Sequence, residues 1–177
     1  DRTSRGLGDV YKRQVLITQA IHTLDIMLLL CGPVKEVHGM VHTSSFHHLE
    51  AEDFSGALLN FESGARGTLM ASTTHFPGHK EEIILNCSEA TVNISGADLK
   101  VFYHNGKIES LETDSQTGSG SDPMDFSYTW HANVIEQFWT QFTKNQQIEI
   151  SAESALPVQR LIDAIVRSSK LEKKVTV

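Results

Sequence analysis

The pattern of apolar and polar positions predicts a long helix near the start of the chain, over residues 15–31. The apolar positions recur at the three- and four-residue spacing of an α-helix that packs on one side. They are Leu16, Ile17, Ala20, Ile21, Leu24, Met27, Leu28 and Cys31. Gly32 and Pro33 follow directly, and this pair is typical of a helix end because proline cannot continue the helix. We therefore expect a helix that packs into a core and ends at Cys31.

Three polar residues, Thr18, His22 and Asp25, interrupt this helix at spacings of four and three. At 100° per residue they lie within about 60° of one another, so an α-helix presents them as one stripe. An imidazole can take a proton from an alcohol near neutral pH, and an acidic neighbour can orient it. A helix whose histidine bonds a carbonyl and whose aspartate meets solvent has the same spacing. The spacing alone leaves both interpretations open.

Alternating apolar residues and turn signals predict about seven strands after this helix. The first lies in VKEVHGMVHTSSF, where a strand runs into a loop, and the next two form a hairpin around Glu62-Ser63-Gly64. Four more short segments follow, EEIILNC, ATVNIS, LKVFYH and KIESLE, and the strongest turn signal between them is Asn105-Gly106. No strands alternate with helices in this region. The expected fold class is α+β, a predominantly antiparallel or mixed open-faced sheet of about six to eight strands with helices packed on one face.

Two further helices and a final strand are predicted after residue 126. The first helix has an apolar face that places a histidine inward, namely His131, Val134, Ile135, Phe138, Trp139 and Phe142. A core histidine bonded to a backbone carbonyl is an alternative to a functional one. The second helix has Ser151 or Ser154 as its cap, Pro157 in its first turn, and core positions Ala155, Val158, Leu161, Ile162, Ile165 and Val166. Val175 and Val177 indicate a short closing strand.

Length, charge and cysteine content exclude several classes of protein. A chain of 177 residues is near the common size of one domain, and its net charge of −7 argues against a nucleic-acid or anionic-membrane surface. No apolar run reaches the roughly 18 residues that cross a bilayer. Cys31 and Cys87 have neither metal-site nor disulfide-framework spacing, so the reducing cytoplasm is the default location.

Two polar segments have more than one interpretation. Residues 1–14 carry four basic and two acidic groups without an apolar period, so we expect a non-native or disordered tail before a domain at 15–177. A basic arm for an anionic partner is the alternative. The loop after the first strand collects metal-ligating side chains, namely His42, His47, His48, Glu50, Glu52 and Asp53. They have no fixed ligand register, so we expect a polar loop and no metal site.

The stretch VLITQAIHTLD and its leucine-rich continuation resemble the motif L-x-D-x-G-x-H-x-x-D, which opens the C-terminal domain of Gfo/Idh/MocA oxidoreductases. The segment EDFSGALLNFESGARGTL is similar to a second motif of these NAD(P)-dependent dehydrogenases of sugars, cyclitols and related polyols. The resemblance covers nearly everything from Val15 onward. It implies a substrate-binding and oligomerisation domain, with NAD or NADP bound mainly by an N-terminal domain that these 177 residues lack.

This resemblance also implies roles for individual residues. His22 becomes the catalytic residue that takes the hydroxyl proton during hydride transfer from a secondary alcohol, and Thr18, Asp25 and His131 become substrate-binding residues. The isolated chain is expected to be inactive and to form a homodimer or homotetramer through its open sheet face. Thr18 stands where the family has an acid, and a threonine cannot carry charge. A non-catalytic binding or assembly module that has lost this acid is therefore the alternative.

Overall fold

The computed structural model describes residues 14–45, 51–112, 128–149 and 151–177, and of Trp130 only the backbone. The chain divides into two compact units, Asp1–His75 with Ala152–Val177 and Phe76–Ser151. Three sequence-based expectations fall outside the described residues. They concern the tail predicted at 1–14, of which only Gln14 is described, the segment TDSQTGSGSDPMD at 113–125, whose composition predicts a loop, and the side chains of His47, His48 and Glu50.

The described elements follow one another in the predicted order. They are a π-helical turn (Leu16–Ala20), α1 (Ile21–Cys31), β1 (Val34–His42), β2 (Phe54–Phe61), β3 (Arg66–Ser72), β4 (Glu82–Asn86), β5 (Ala90–Ser95), β6 (Asp98–Tyr103), β7 (Ile108–Leu111), α2 (Thr129–Thr143), a 3-10 turn (Glu153–Ala155), α3 (Leu156–Leu171) and β8 (Val175–Thr176). The strands form two antiparallel sheets, ordered β3-β2-β1-β8 in the first unit and β4-β5-β6-β7 in the second. The predicted α+β class is confirmed, with the strands divided between two sheets.

Helices cover one face of the first sheet. Along β2, Leu59 is 1% exposed, whereas the adjacent Leu58 is 59% exposed, because successive side chains of a strand point to opposite faces. The covered face joins α1 and α3 in a single apolar core. Its members are Val15, Leu16, Ala20, Leu24, Val34, Val37, Ala57, Leu59, Phe61, Val158, Leu161, Ile162, Ala164 and Ile165. The other face of this sheet carries Leu58 and remains open in the described chain.

Helix α1 ends where the sequence predicts, but its start differs from a regular α-helix. Gly32 adopts a φ of 81°, and its N–H donates to the carbonyl oxygen of Leu28 at 2.9 Å. At the other end, the wider π turn changes the angular position of the residues before Ala20. The prediction that Ile17 faces the core is wrong, because Ile17 is exposed while Leu16 and Ala20 are buried.

Helix α3 packs closely on the central strand β1 at Gly39. A Cβ atom on Gly39 would lie 2.7 Å from the carbonyl oxygen of Ile165, a distance that real Cβ atoms essentially never show. A glycine at this position therefore lets the backbone of the helix approach the backbone of the strand.

Two serines of α3 bond to backbone N–H groups of β1. The Gly39 N–H donates to Oγ of Ser168 at 2.9 Å, and the Val41 N–H donates to Oγ of Ser169 at 3.0 Å. Strand β8 pairs with β1 at Glu36 and Val37, on the same edge but earlier along the strand. The serine hydroxyls thus satisfy strand N–H groups beyond the end of β8, where a sheet edge would otherwise stay unpaired.

The N-cap residue of α3 is not one of the two serines that the sequence predicts. The helix begins at Leu156 after a 3-10 turn, Ala155 occupies the N-cap position, and no side chain caps it there. Neither Ser151 nor Ser154 occupies the N-cap position, and Ala155 is exposed instead of buried. Pro157 lies in the first turn as expected, where a missing N–H costs no helical hydrogen bond.

The second unit contains the four-stranded meander and helix α2. Ile94 of β5 lies opposite Ile83 of β4 and Leu99 of β6, so these apolar side chains share one face. The predicted Asn105-Gly106 turn joins β6 to β7, with Gly106 at a φ of 89°. Its geometry is supported by the Lys107 N–H, which donates to Oδ1 of Asn105 at 2.9 Å.

Helix α2 forms where the periodicity predicts it, but its apolar face is not buried. His131 is exposed, so the prediction that it points inward is wrong. Trp139 is 62% exposed, and the rings of Phe138 and Phe142 stack on each other with centroids 6.1 Å apart. A helical period determines which side chains share a face, whereas burial requires a second surface against that face.

Ser168→Ala is expected to lower the free energy of unfolding of the first unit by about 1–3 kcal/mol, because it leaves the buried Gly39 N–H without an acceptor. Urea unfolding followed by circular dichroism measures the change. Gln159→Ala, at an exposed position of the same helix, is the control and should change stability little. Equal stability of the two variants would contradict a structural role for the serine.

Candidate functional site

The helix that carries the candidate residues is anchored at its start by the turn before β2. The Val15 N–H donates to the carbonyl oxygen of Glu52 at 3.0 Å. Val15 and Leu16 are fully buried beside this contact. The backbone that leads into Thr18 and His22 is therefore fixed to the core.

The buried side chain of Asp53 stabilises the same turn. Its side chain is fully buried, its Oδ1 accepts a hydrogen bond from the Ser44 N–H at 2.8 Å, and its Oδ2 accepts one from the Ser44 hydroxyl. The Asp53 carbonyl oxygen accepts from the Thr73 N–H at 3.0 Å. A buried carboxylate is costly unless hydrogen bonds compensate it, so these contacts fix the turn in one conformation.

The predicted polar loop does not account for this structural role of Asp53. An acidic residue directly before a strand with alternating burial is the signal that could have indicated it. Its neighbour Glu52 is also buried, and neither Oε1 of Glu52 nor Oγ of Ser55 has a hydrogen-bond partner in the part of the chain that is described.

The predicted stripe residues Thr18, His22 and Asp25 are all exposed on the outer side of the helix. His22 and Asp25 lie in α1 at the three-residue spacing that places them on one face. Thr18 lies in the π turn, whose wider spacing removes it from the phase of an α-helix. The structure therefore brings His22 and Asp25 to one face and places Thr18 on the preceding turn.

The hydrogen bonds of these side chains differ. The Thr18 hydroxyl donates to the carbonyl oxygen of Gln14 at 3.0 Å, so its hydrogen is engaged while its oxygen still accepts. Within residues 14–45, 51–112, 128–149 and 151–177, the His22 and Asp25 side chains form no hydrogen bond or ion pair. Asp25 therefore does not orient the imidazole through a direct bond here, and both groups are accessible to a ligand.

Apolar side chains share the outer face of α1 with His22. Ile26 and Leu29 follow His22 by four and seven residues, and both are exposed, as is Leu30 beside them. A molecule that approaches the imidazole therefore meets one carboxylate and an apolar surface.

The fourth candidate, His131, belongs to the second unit. It lies in the first turn of α2 with its side chain exposed. Its role in substrate binding stays a prediction.

The described residues were predicted to hold neither a metal site nor a membrane span. These residues contain no group of three or more His, Cys, Asp or Glu side chains that could hold a metal ion. They also contain no helix with the length and apolar content needed to pass through a bilayer.

The chain matches the profile of a known protein family. A profile described as the GFO/IDH/MocA C-terminal domain matches residues 5–93, which is about half of the chain. The match begins inside the segment predicted to be a tail, so the domain boundary at residue 15 remains a prediction. A comparison with curated protein sequences finds no significant match.

Solved structures show the same fold. The chain is similar to an oxidoreductase from Agrobacterium radiobacter in complex with NAD+, L-tartaric acid and magnesium, with 22% identity and a TM-score of 0.73 over 93% of this chain and 49% of that one. It is also similar to the WlbA dehydrogenase from Bordetella pertussis in complex with NADH and UDP-GlcNAcA, with 21% identity and a TM-score of 0.70 over 93% of this chain and 45% of that one. A third similar structure is levoglucosan dehydrogenase in complex with NADH, with 18% identity and a TM-score of 0.74 over 92% of this chain and 50% of that one. The chain thus spans about half the length of these neighbours.

Proposed function

Because the chain belongs to the Gfo/Idh/MocA family, we propose that it is the substrate-binding and oligomerisation domain of an NAD(P)-dependent oxidoreductase. The proposed substrate is a sugar, cyclitol or related polyol that is oxidised at a secondary alcohol. The observation that carries the proposal is the accessible His22 imidazole, held beside Asp25 on a helix whose start is buried. Neighbours in complex with NADH and with UDP-GlcNAcA or levoglucosan support the cofactor and the substrate class.

The residues of this chain fit the reacting end of such a cofactor. When bound, NAD(P) would supply the hydride acceptor for the alcohol carbon. His22 takes the hydroxyl proton on its imidazole, and the Asp25 carboxylate accepts a hydrogen bond from a neighbouring hydroxyl. The Thr18 oxygen acts as an acceptor because its hydrogen points to Gln14. The sequence has no glycine-rich motif to cradle a pyrophosphate, so we propose that the isolated chain does not turn over substrate.

A non-catalytic binding or assembly module is the second candidate function. The observation that favours it is Thr18, which replaces the acid of the family motif and donates its hydrogen to the carbonyl oxygen of Gln14, just before the π turn. A hydroxyl cannot stabilise an imidazolium as a carboxylate does. The two candidates differ in whether His22 contributes to turnover.

We also propose that the open face of the first sheet forms a contact between copies of the chain. Met40 of β1 and Met70 of β3 lie opposite Gly56 of β2, and Met70 is 80% exposed. With the exposed Leu58, these side chains give the open face an apolar centre, and clustered exposed apolar residues are typical of contact surfaces.

One end of this open face is charged. Lys174 of the segment before β8 lies 2.9 Å from Glu36 of β1, and Asn60 of β2 donates to the same carboxylate at 3.3 Å. The hydrogen bond from Lys174, followed by that from Asn60, lowers the pKa of Glu36 below its ordinary value. The apolar centre therefore has a polar boundary on this side, as interface cores generally do.

His22→Ala is expected to lower kcat by roughly 10²-fold or more in the complete protein with its nucleotide-binding half. General acid–base catalysis typically contributes a rate factor of that size. Steady-state kinetics with a polyol substrate measures the change. The control is His104→Ala, since His104 is exposed in the turn between β6 and β7. An unchanged kcat would remove His22 from the mechanism and favour the non-catalytic module.

Thr18→Asp is expected to move the acidic limb of the kcat/KM profile of the complete protein to higher pH. The reason is that a carboxylate near His22 stabilises the protonated imidazole. Thr18→Asn adds a polar group of similar size without charge and should leave the limb in place. Identical profiles for the two variants would show that positions 18 and 22 are not coupled.

The 177-residue chain is expected to have a mass in solution of at least twice its 19.6 kDa at micromolar concentration. Replacing both Leu58 and Met70 by lysine should reduce the mass to that of one chain. The reason is that the lysine charges of one copy would repel those of the other copy across the interface. Light scattering measures the mass, and Leu111→Lys in β7 is the control. A monomeric parent chain with the expected circular dichroism would contradict the proposed interface.

A further inference from the structure

Two histidines of β1, His38 and His42, lie on the open face of the first sheet, on either side of Met40. Val37 and Gly39 are buried on the covered face, whereas the two histidines and Met40 are exposed, because successive side chains of a strand alternate between its faces. Within the described ranges, neither imidazole forms a hydrogen bond or an ion pair. The proposed catalytic role of His22 leaves these two histidines without a function.

The strand register identifies the neighbours of each histidine on this face. Residues that lie directly opposite each other in an antiparallel pair share a face. The two rows that cross β1, β2 and β3 at the histidines are His38 with Leu58 and Thr68, and His42 with Phe54 and Ser72. These rows supply apolar side chains and hydroxyls to the histidines, and neither row contains a carboxylate.

The charged strand residues of this face lie in one row at its end. This row contains Glu36 of β1, Asn60 of β2 and Arg66 of β3. Glu36 is two residues before His38, but its carboxylate already accepts hydrogen bonds from Lys174 at 2.9 Å and from Asn60 at 3.3 Å. The acidic group of this face is therefore already paired with a cation.

The charged row favours a second copy of the chain as the occupant of the open face. It places a carboxylate on the β1 side of the face and a guanidinium on the β3 side. A two-fold axis along β2 turns the β1 side of one copy towards the β3 side of the other. Glu36 of each copy then faces Arg66 of the other, and Met40 faces Met70. Opposite charges thus meet twice around an apolar centre.

In the same arrangement each histidine faces a hydroxyl of the other copy. His38 lies across from Thr68, and His42 lies across from Ser72. Sheets that pack face to face are about 10 Å apart, and side chains instead of water fill the space between them. A neutral imidazole can be covered there, because it can exchange hydrogen bonds with hydroxyls. An imidazolium would lose its hydration without gaining a free carboxylate, which is costly.

We propose that the open face is a pH-sensitive contact, to which a second copy binds tightly only while His38 and His42 are neutral. This inference rests on the proposed contact between copies. Near His38 the contact contains two cations, Lys174 and Arg66 of the second copy, against the one carboxylate of Glu36. Histidine changes its charge between about pH 5 and pH 8. Because association disfavours the charged form, it is strongest above this range and weakens as the pH falls through it.

Sedimentation velocity of the 177-residue chain over a concentration series tests this contact by measuring the dissociation constant of the dimer. We expect the constant to rise roughly tenfold or more between about pH 7.5 and pH 5.5, because protonated histidines must release their protons on association. The double variant His38→Gln with His42→Gln keeps neutral hydrogen-bonding side chains and should lose this dependence. His104→Gln, at an exposed turn of the second unit, is the matched control and should keep it.

A permanent charge at one position tests the same contact without acid. At about pH 7.5, His42→Lys should raise the dissociation constant roughly tenfold or more, whereas the neutral His42→Gln should not. Circular dichroism of each variant checks that its fold is retained. Equal dissociation constants for the lysine and glutamine variants would overturn the inference, and so would a pH dependence that persists in the double variant.

The same measurements separate this inference from the proposed function. A chain that is monomeric at pH 7.5 would contradict the proposed contact between copies, and the pH-sensitive contact with it. A dimer that Leu58→Lys with Met70→Lys dissociates, but whose dissociation constant is the same at pH 7.5 and pH 5.5, would overturn the pH-sensitive contact alone.

Discussion

The close contact of helix α3 with strand β1 at Gly39 is the constraint on which the first unit depends. The carbonyl oxygen of Ile165 stands where a side chain at position 39 would lie, so the helix sits unusually near the strand. This distance lets Ser168 and Ser169 bond to the strand N–H groups that β8 leaves unpaired. A two-residue closing strand is sufficient because the helix completes the hydrogen bonding of the central strand.

The site follows from this arrangement. With one face of the sheet closed by α3, helix α1 packs beside it in the same core, and the buried turn at Glu52 and Asp53 fixes its first residues. One side of α1 is then used for the core, and the other presents His22 and Asp25 to the outside among apolar side chains. The same helix thus connects the stability of the domain to its proposed chemistry.

The His22 and Thr18 side chains differ in what they can offer a ligand. His22 is accessible and unengaged by side-chain bonds in the described residues, so it is suited to exchange a proton with a ligand. The Thr18 hydroxyl donates its hydrogen to the carbonyl oxygen of Gln14, so towards a ligand it can act only as an acceptor. It also carries no charge. Which of the two proposed functions holds therefore depends on how far the Thr18 hydroxyl can replace an acid.

The sequence by itself determined features that depend on neighbouring residues along the chain. Periodicity and turn residues predicted the end of α1 at Cys31 and the turn at Asn105-Gly106, because backbone preferences are local. It also predicted that His22 and Asp25 share a face.

Only the tertiary structure decided what covers each face and where backbones meet. His131 and Ile17 were predicted to be buried and are exposed, one because no described surface closes over its helix face and the other because a π turn shifts the phase. The serine bonds to β1 join residues 128 or more positions apart. No local pattern encodes such contacts, since they depend on the distance between two packed backbones.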